Sequence, residues 1–244
     1  MKILPECVGA QCCSPTVTQV HATFMIFDPA SVPVIGTDAH MPAVALEHLT
    51  PASLRARFRA PPPWQPEVRE EPRFTDRAPC PAAVLLPVVM RPVPTLLLTQ
   101  RTSHLPTHAG QIAFPGGKVD PDDSGPVAAA LREAEEEIGL MASQVEVLGT
   151  LPVYTTGTAF MITPVVGLVL PDHTLKPNPG EVADVFEVPL PFLMNPAHHQ
   201  RRETLWEGRM RQWLSMPYRD QERERFIWGA TAGMLRNFYR FLVA

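Results

Sequence analysis

The hydrophobic and polar positions fall into two rhythms that predict different elements. Residues 82–89 and Thr95–Arg101 are apolar, β-prone runs separated by Met90-Arg91-Pro92-Val93-Pro94, a turn-like spacing that predicts two antiparallel strands. Residues 111–114 read as a third short strand that stops at Pro115-Gly116-Gly117. Further β-like runs follow at 145–154 and 160–170, and shorter ones at 211–214 and 226–228. Residues 231–243 repeat apolar positions at helical spacing and predict a closing amphipathic helix. Strands and helices mixed in this order predict an α/β (α+β) fold with a mixed sheet between helices.

The clearest helix lies at 126–138, Pro-Val-Ala-Ala-Ala-Leu-Arg-Glu-Ala-Glu-Glu-Glu-Ile. Strong helix formers fill it, Pro126 suits a first turn, and Gly139 suits the left-handed residue that ends a helix. Asp123 and Ser124 are the expected acceptors for its first free N–H groups. At about 100° per residue Val127, Leu131, Ala134 and Ile138 form the stripe expected to pack on the sheet. Glu133, Glu136 and Glu137 project together from another face. Carboxylates at i, i+3 and i+4 repel one another, so the arrangement costs free energy unless cations neutralise it. Arg132, four residues before Glu136, can orient that acid but cannot satisfy all three. Hard oxygen ligands of this kind suit Mg²⁺ or Mn²⁺, although a solvated acidic face would show the same spacing.

Ahead of residue 82 the pattern weakens. Residues 1–40 hold no sustained period and are left unassigned, as a disordered arm or as sequence upstream of an initiator at Met41. Residues 41–80 read as a short helix around 53–58 followed by a linker. Prolines 61, 62, 63, 66, 72, 79 and 81 fix φ and remove backbone donors there, which predicts an extended connection and a catalytic domain over 81–244.

Composition narrows the function. A net charge of −4 gives no long-range attraction for a polyanion, so a small anionic substrate fits better than a nucleic acid. Cys7, Cys12, Cys13 and Cys80 form no C-x-x-C pair, which favours reduced thiols over a zinc site or a disulfide framework. No secretory leader is recognisable and no apolar run approaches the ~18 residues of a membrane span. The expectation is a soluble, cytoplasmic protein without membrane contact, and whether it pairs as a homodimer stays open.

What gives the acidic helix a chemical meaning is the loop before it. Phe114-Pro115-Gly116-Gly117-Lys118 sets two glycines directly after a strand, where backbone can approach a ligand and present N–H groups to phosphate. Gly117 followed by Arg132-Glu133-Ala134-Glu135-Glu136-Glu137-Ile138-Gly139-Leu140 resembles the box of the Nudix hydrolase family, G-x5-E-x7-R-E-U-x-E-E-x-G-U with U aliphatic. The middle departs from that box: Asp123 stands at the first acid, and eight residues rather than seven separate it from Arg132.

Leu97-Leu98-Thr99-Gln100-Arg101, His108-Ala109-Gly110-Gln111 running into Phe114-Pro115-Gly116-Gly117, and Trp228-Gly229-Ala230-Thr231-Ala232 resemble the coenzyme A pyrophosphatase branch, with Pro106-Thr107 where basic residues often precede the His. The resemblance implies a Nudix-type α/β/α sandwich and metal-dependent hydrolysis of coenzyme A or a derivative to 3′,5′-ADP and a 4′-phosphopantetheine species. Glu133, Glu136 and Glu137 would be the metal ligands, with Arg132 among the catalytic groups. Arg101, His108, Gln111, Gly116, Gly117 and Lys118 are the substrate-binding candidates, each also readable as ordinary loop or strand-end polarity. Glu133, Glu136, Glu181 and Asp184 are all open as general base. A Nudix enzyme for another nucleoside diphosphate derivative, or a non-catalytic nucleotide-binding module, is the alternative.

Overall fold

Strands that are apolar on both sides need cover on both faces, and this requirement organises the molecule. The computed structural model describes residues 28–104, 108–206, 208–221 and 223–244. A four-residue strand β1 (Val34–Thr37) and a helix α1 (Pro51–Arg59) come first. An eight-stranded sheet then collects β2 (Cys80–Val89), β3 (Thr95–Arg101), β4 (Ile112–Ala113), β5 (Gly116–Lys118), β6 (Val145–Thr150), β7 (Tyr154–Thr155), β8 (Phe160–Val169) and β9 (Val182–Pro189). Between β5 and β6 runs α2 (Pro126–Ile138). After β9 come the one-turn α3 (Leu190–Leu193), the strands β10 (Gln200–Trp206), β11 (Arg209–Asp220) and β12 (Arg223–Trp228), and α4 (Gly229–Val243). β1, β10, β11 and β12 form a second, antiparallel sheet.

The large sheet is mixed: β2 and β8 pair in parallel from Cys80↔Phe160 to Val89↔Val169, and its other pairings are antiparallel. Ala83, Leu85, Leu97 and Val165 face α2, packing on Ala129, Ala130, Ala134 and Ile138. Leu86, Val88, Leu96, Leu98, Val166 and Leu168 face the opposite way, toward Phe238, Tyr239 and Leu242 of α4 and Leu214 and Met216 of β11. The α/β/α sandwich with a mixed sheet is therefore as expected. Each large side chain buried this way contributes roughly 1.5–3 kcal/mol, so α4 anchors the far layer strongly.

Several local expectations need correction. The N-cap of α2 is Gly125, without a side-chain cap, because the Asp123 carboxylate is held by Arg132 instead. The buried stripe of α2 is Ala129, Ala130, Ala134, Glu137 and Ile138, with Val127 and Leu131 only partly covered. Small alanines let the helix lie close to the sheet and draw Glu137 inward. Gln200 opens β10 directly after His199, which is fully buried. β9 and β1 also went unpredicted.

The chain before residue 80 is packed on this core. Leu49 and Leu54 are fully buried in the cluster that contains Leu86 and Phe238. Val68 N–H donates to Asn237 Oδ1 and Asn237 Nδ2 to the Val68 carbonyl, so the proline-rich connection is extended yet fastened to α4. Ahead of Met41, β1 pairs with β10, and Asp38 is 4 % exposed in ion pairs with Arg201 and Arg236. Residues 28–40 are thus no free arm, while the reading of residues 1–27, including Cys7, Cys12 and Cys13, lies outside the described residues. Among the described residues no helix is long and apolar enough to cross a membrane.

Candidate active site

The site begins where two strands part. β2 and β3 pair only at Val88↔Leu96 and Val89↔Thr95. Beyond that, β4 takes the freed edge of β3 and β5 takes the freed edge of β2, with Val84↔Gly116, Ala83↔Gly117 and Ala82↔Lys118. The 112–118 segment so crosses the split and lays both glycines over α2. A Cβ on Gly116 would strike the Ala83 carbonyl oxygen, and one on Gly117 would strike the Glu133 carboxylate. At Gly116 the obstacle is backbone, so that position requires glycine, whereas at Gly117 a side chain would displace the Glu133 carboxylate.

Opposite them stands Glu137, 5 % exposed. Its Oε2 accepts from the Gly116 N–H at 3.2 Å, and its Oε1 lies 3.7 Å from Arg101 Nη1. Burial pushes its pKa from 4.5 up to about 7; Gly116 and Arg101 pull it down, while the charges of Glu133 and Glu181 push it further up. Glu133, half-buried, is also raised, chiefly by burial and by Glu136 and Asp120 against the pull of Arg132. The Arg101 Nε is buried without a hydrogen-bond partner. The geometry thus concentrates acidic oxygens and an unsatisfied donor beside the glycine strand.

Arg132 is spent on structure. Its Nε and Nη2 donate to Asp123 at 3.1 and 2.9 Å, Nη2 also reaches the Lys118 carbonyl at 3.1 Å, and Nη1 donates to Glu133 and Glu136 at 3.1 and 3.0 Å. This guanidinium ties the 118–123 loop to α2 and holds the Asp123 carboxyl below its ordinary range. Glu136 is 60 % exposed and shares Arg132 Nη1 with Glu133.

The other candidates divide. Arg101, Gly116, Gly117, Glu133 and Glu137 come together. The Lys118 side chain is exposed, and its carbonyl makes the Arg132 contact. His108, exposed and at φ 56°, sits with Nδ1 2.9 Å from Gln111 Oε1, and the Gln111 carbonyl accepts the Arg101 N–H, so these two shape the loop after β3. Of the downstream acids, Asp184 is taken by Arg225 at 2.7 Å and Arg223 at 3.3 Å. Glu181 instead presses its charge on Glu137, and Asn178, whose N–H holds the Glu137 carbonyl at 2.8 Å, donates to Glu181 at 3.4 Å. Asn178 and the Lys118 carbonyl left no signal in the sequence, since their roles depend on where loops return.

Among the described residues no three His, Cys, Asp or Glu side chains gather as a closed metal cage. A Mg²⁺-type ion needs only one or two carboxylates, completing its shell with water and substrate phosphate. Two half-repelling buried carboxylates beside a glycine strand fit that demand; Glu133 and Glu137 would hold the ion, and Glu136 would join by leaving Arg132.

The site is thus an acidic helix facing a glycine strand within a mixed sandwich. The profile of the NUDIX domain matches residues 80–213. The uncharacterized Nudix hydrolase NudL of Escherichia coli K12 is 47 % identical over 156 residues, covering 64 % of this chain and 79 % of that protein. NudL of Shigella flexneri is 44 % identical over 173 residues, covering 70 % and 85 %. Among solved structures, a Nudix hydrolase from M. smegmatis, RenU, aligns at 29 % identity with a TM-score of 0.41 over 48 % of this chain and 73 % of its own. The chain belongs to the Nudix family and is a Nudix hydrolase acting on a nucleoside diphosphate derivative.

Proposed function

We propose that the protein cleaves the diphosphate of coenzyme A or a coenzyme A derivative, releasing 3′,5′-ADP and a 4′-phosphopantetheine species, with Mg²⁺ or Mn²⁺ at Glu133, Glu136 and Glu137. The observation that carries the reading is the buried Glu137 carboxylate held between the Gly116 N–H and Arg101. The substrate choice is supported by the segments that resemble the coenzyme A branch. Thr99-Gln100-Arg101 lie in β3, His108–Gln111 in the loop before β4, and Phe114–Gly117 run from the end of β4 into β5, and Arg101 extends that group to Glu137. Glu133, Glu136 and Glu137 would hold the ion, which when bound would supply charge neutralisation for the diphosphate and a more acidic water.

Arg101 offers its unpaired Nε and its Nη groups to the diphosphate charge. Gly116 and Gly117 keep side-chain bulk out of the approach. Arg132 fixes the helix against the loop, so the carboxylates are positioned before substrate arrives. Glu181, rather than the ion-paired Asp184, is our candidate to take the proton of the attacking water at its carboxylate.

Parallel incubation with coenzyme A, NADH and a diadenosine polyphosphate in Mg²⁺ or Mn²⁺, with products identified by mass, tests this. Coenzyme A should be cleaved fastest, to 3′,5′-ADP. Faster cleavage of either other substrate would move the reading to another nucleoside diphosphate derivative, and absence of any product would leave only nucleotide binding.

A further inference from the structure

A second polar crevice lies between residues 72–76 and the start of β11, sharing no residue with the carboxylate site. Arg73, Phe74, Asp76, Arg209, Met210 and Arg211 line it, and its volume of about 640 Å³ is that of a small-molecule site. Three guanidinium groups face one carboxylate there, in a chain whose net charge is −4. Among the described residues nine of the eighteen arginines lie in ion pairs, as Arg55 does with Glu146, Arg91 with Glu187 and Arg225 with Asp184. Among the described residues no carboxylate lies within ion-pair distance of Arg73, Arg209 or Arg211.

The crevice also offers a ring. Phe74 is 52 % exposed, although its backbone is pinned by a 3.1 Å hydrogen bond from its N–H to the Gly157 carbonyl. Its ring rests against Gly157, where any Cβ would collide with it, and the Arg211 guanidinium stands 4.6 Å from the ring centroid. Met210 beside it is 53 % exposed and adaptable. A half-uncovered aromatic next to unpaired guanidinium groups suits a flat ring that carries phosphate: the ring covers Phe74, and the phosphate takes forked hydrogen bonds from arginine.

We propose that this crevice binds a phosphorylated nucleoside, independently of hydrolysis at the carboxylate site. The proposal needs neither the metal nor coenzyme A, so it survives or fails apart from the functional reading above.

Calorimetric titration of the metal-free full chain with ADP, adenosine and inorganic pyrophosphate tests it, a melting curve confirming that each variant folds. ADP should bind more tightly than either half. Arg209→Ala combined with Arg211→Ala should weaken ADP by about tenfold or more, as loss of charge-assisted contacts predicts. Phe74→Leu should erase the preference of ADP over pyrophosphate. If the double variant failed to fold, Arg209→Glu, a change at an exposed position, should show the same weakening. The proposal is overturned if wild type shows no saturable ADP binding, if the arginine variants bind as wild type does, or if pyrophosphate binds as well as ADP.

Discussion

Asp38, Glu67, His199, Arg201 and Arg236 meet under α4, while Glu133, Glu137, Glu181 and Arg101 meet where α2 faces β5, and the two groups resolve burial of charge differently. In the first, every charge is answered. Arg236, 1 % exposed, donates to Glu67 at 2.7 Å and His199 Nδ1 at 3.0 Å and lies 3.1 Å from Asp38; Arg201 donates to both acids at 2.9 Å. His199 is kept neutral, since Nε2 donates to the Leu193 carbonyl and Nδ1 accepts from Arg236, and burial pushes its pKa down to about 4. Burial raises Asp38 and Glu67, yet their arginine partners outweigh it and both end below the ordinary range. In the second, the acids outnumber the cations and Glu137 ends near 7. A closed network fastens the N-terminal segment; an open one leaves electrostatic work for a ligand.

The largest expected effect breaks the closed network. Arg236→Met should cost about 3–5 kcal/mol in denaturant unfolding, because it removes the buried cation shared by Asp38, Glu67 and His199 and leaves Arg201 alone to answer both acids. A cost under about 1 kcal/mol would show that the network relaxes into solvent and would erase the contrast. Next, Glu137→Gln should lower turnover by about 10²–10³-fold, the scale for removing one preorganised electrostatic group, without destabilising the metal-free fold. Unchanged turnover at saturating metal would sink the role given to Glu137.

The pH response sharpens the same contrast with a smaller effect. Between pH 4.5 and about 7 the folded chain holds a proton on Glu137 that the unfolded chain has released, so its contribution to stability falls as pH rises. Removing this penalty should make metal-free Glu137→Gln more stable than wild type above pH 7, by on the order of 2–3 kcal/mol, with no difference below pH 4. The closed network has the opposite sign. Neutral His199 and ionised Asp38 and Glu67 contribute stability that is lost as pH falls from about 6.5 through 4 and below. Melting curves of both proteins across pH 4 to 8 check both signs; parallel curves would refute the Glu137 part.

Legibility of the chain follows how local each cause is. The limits of α2 were readable because Pro126 and the left-handed Gly139 act on their own backbone. The apolar β2, β3 and β8 were readable because strands buried on both faces carry little else. β9 and β10 were not. Glu187 in β9 is matched by Arg91, and Arg202 in β10 donates to Ser215 and to the carbonyls of Ala30 and Val32, so their polarity resembled loop until distant partners were in place.

The same division separates the site's parts. Helical spacing alone determined that Glu133, Glu136 and Glu137 share a helix behind two glycines. Only the tertiary structure decided that Glu137 is buried against Gly116, that Glu136 turns out to Arg132, that Asp123 serves a guanidinium instead of capping, and that Asp184 is paired with Arg225 while the charge of Glu181 acts on Glu137. Backbone geometry and apolar periodicity are written within a few residues of where they take effect. The protonation and orientation of a carboxylate are set by burial and by charges that reach it from elsewhere in the chain.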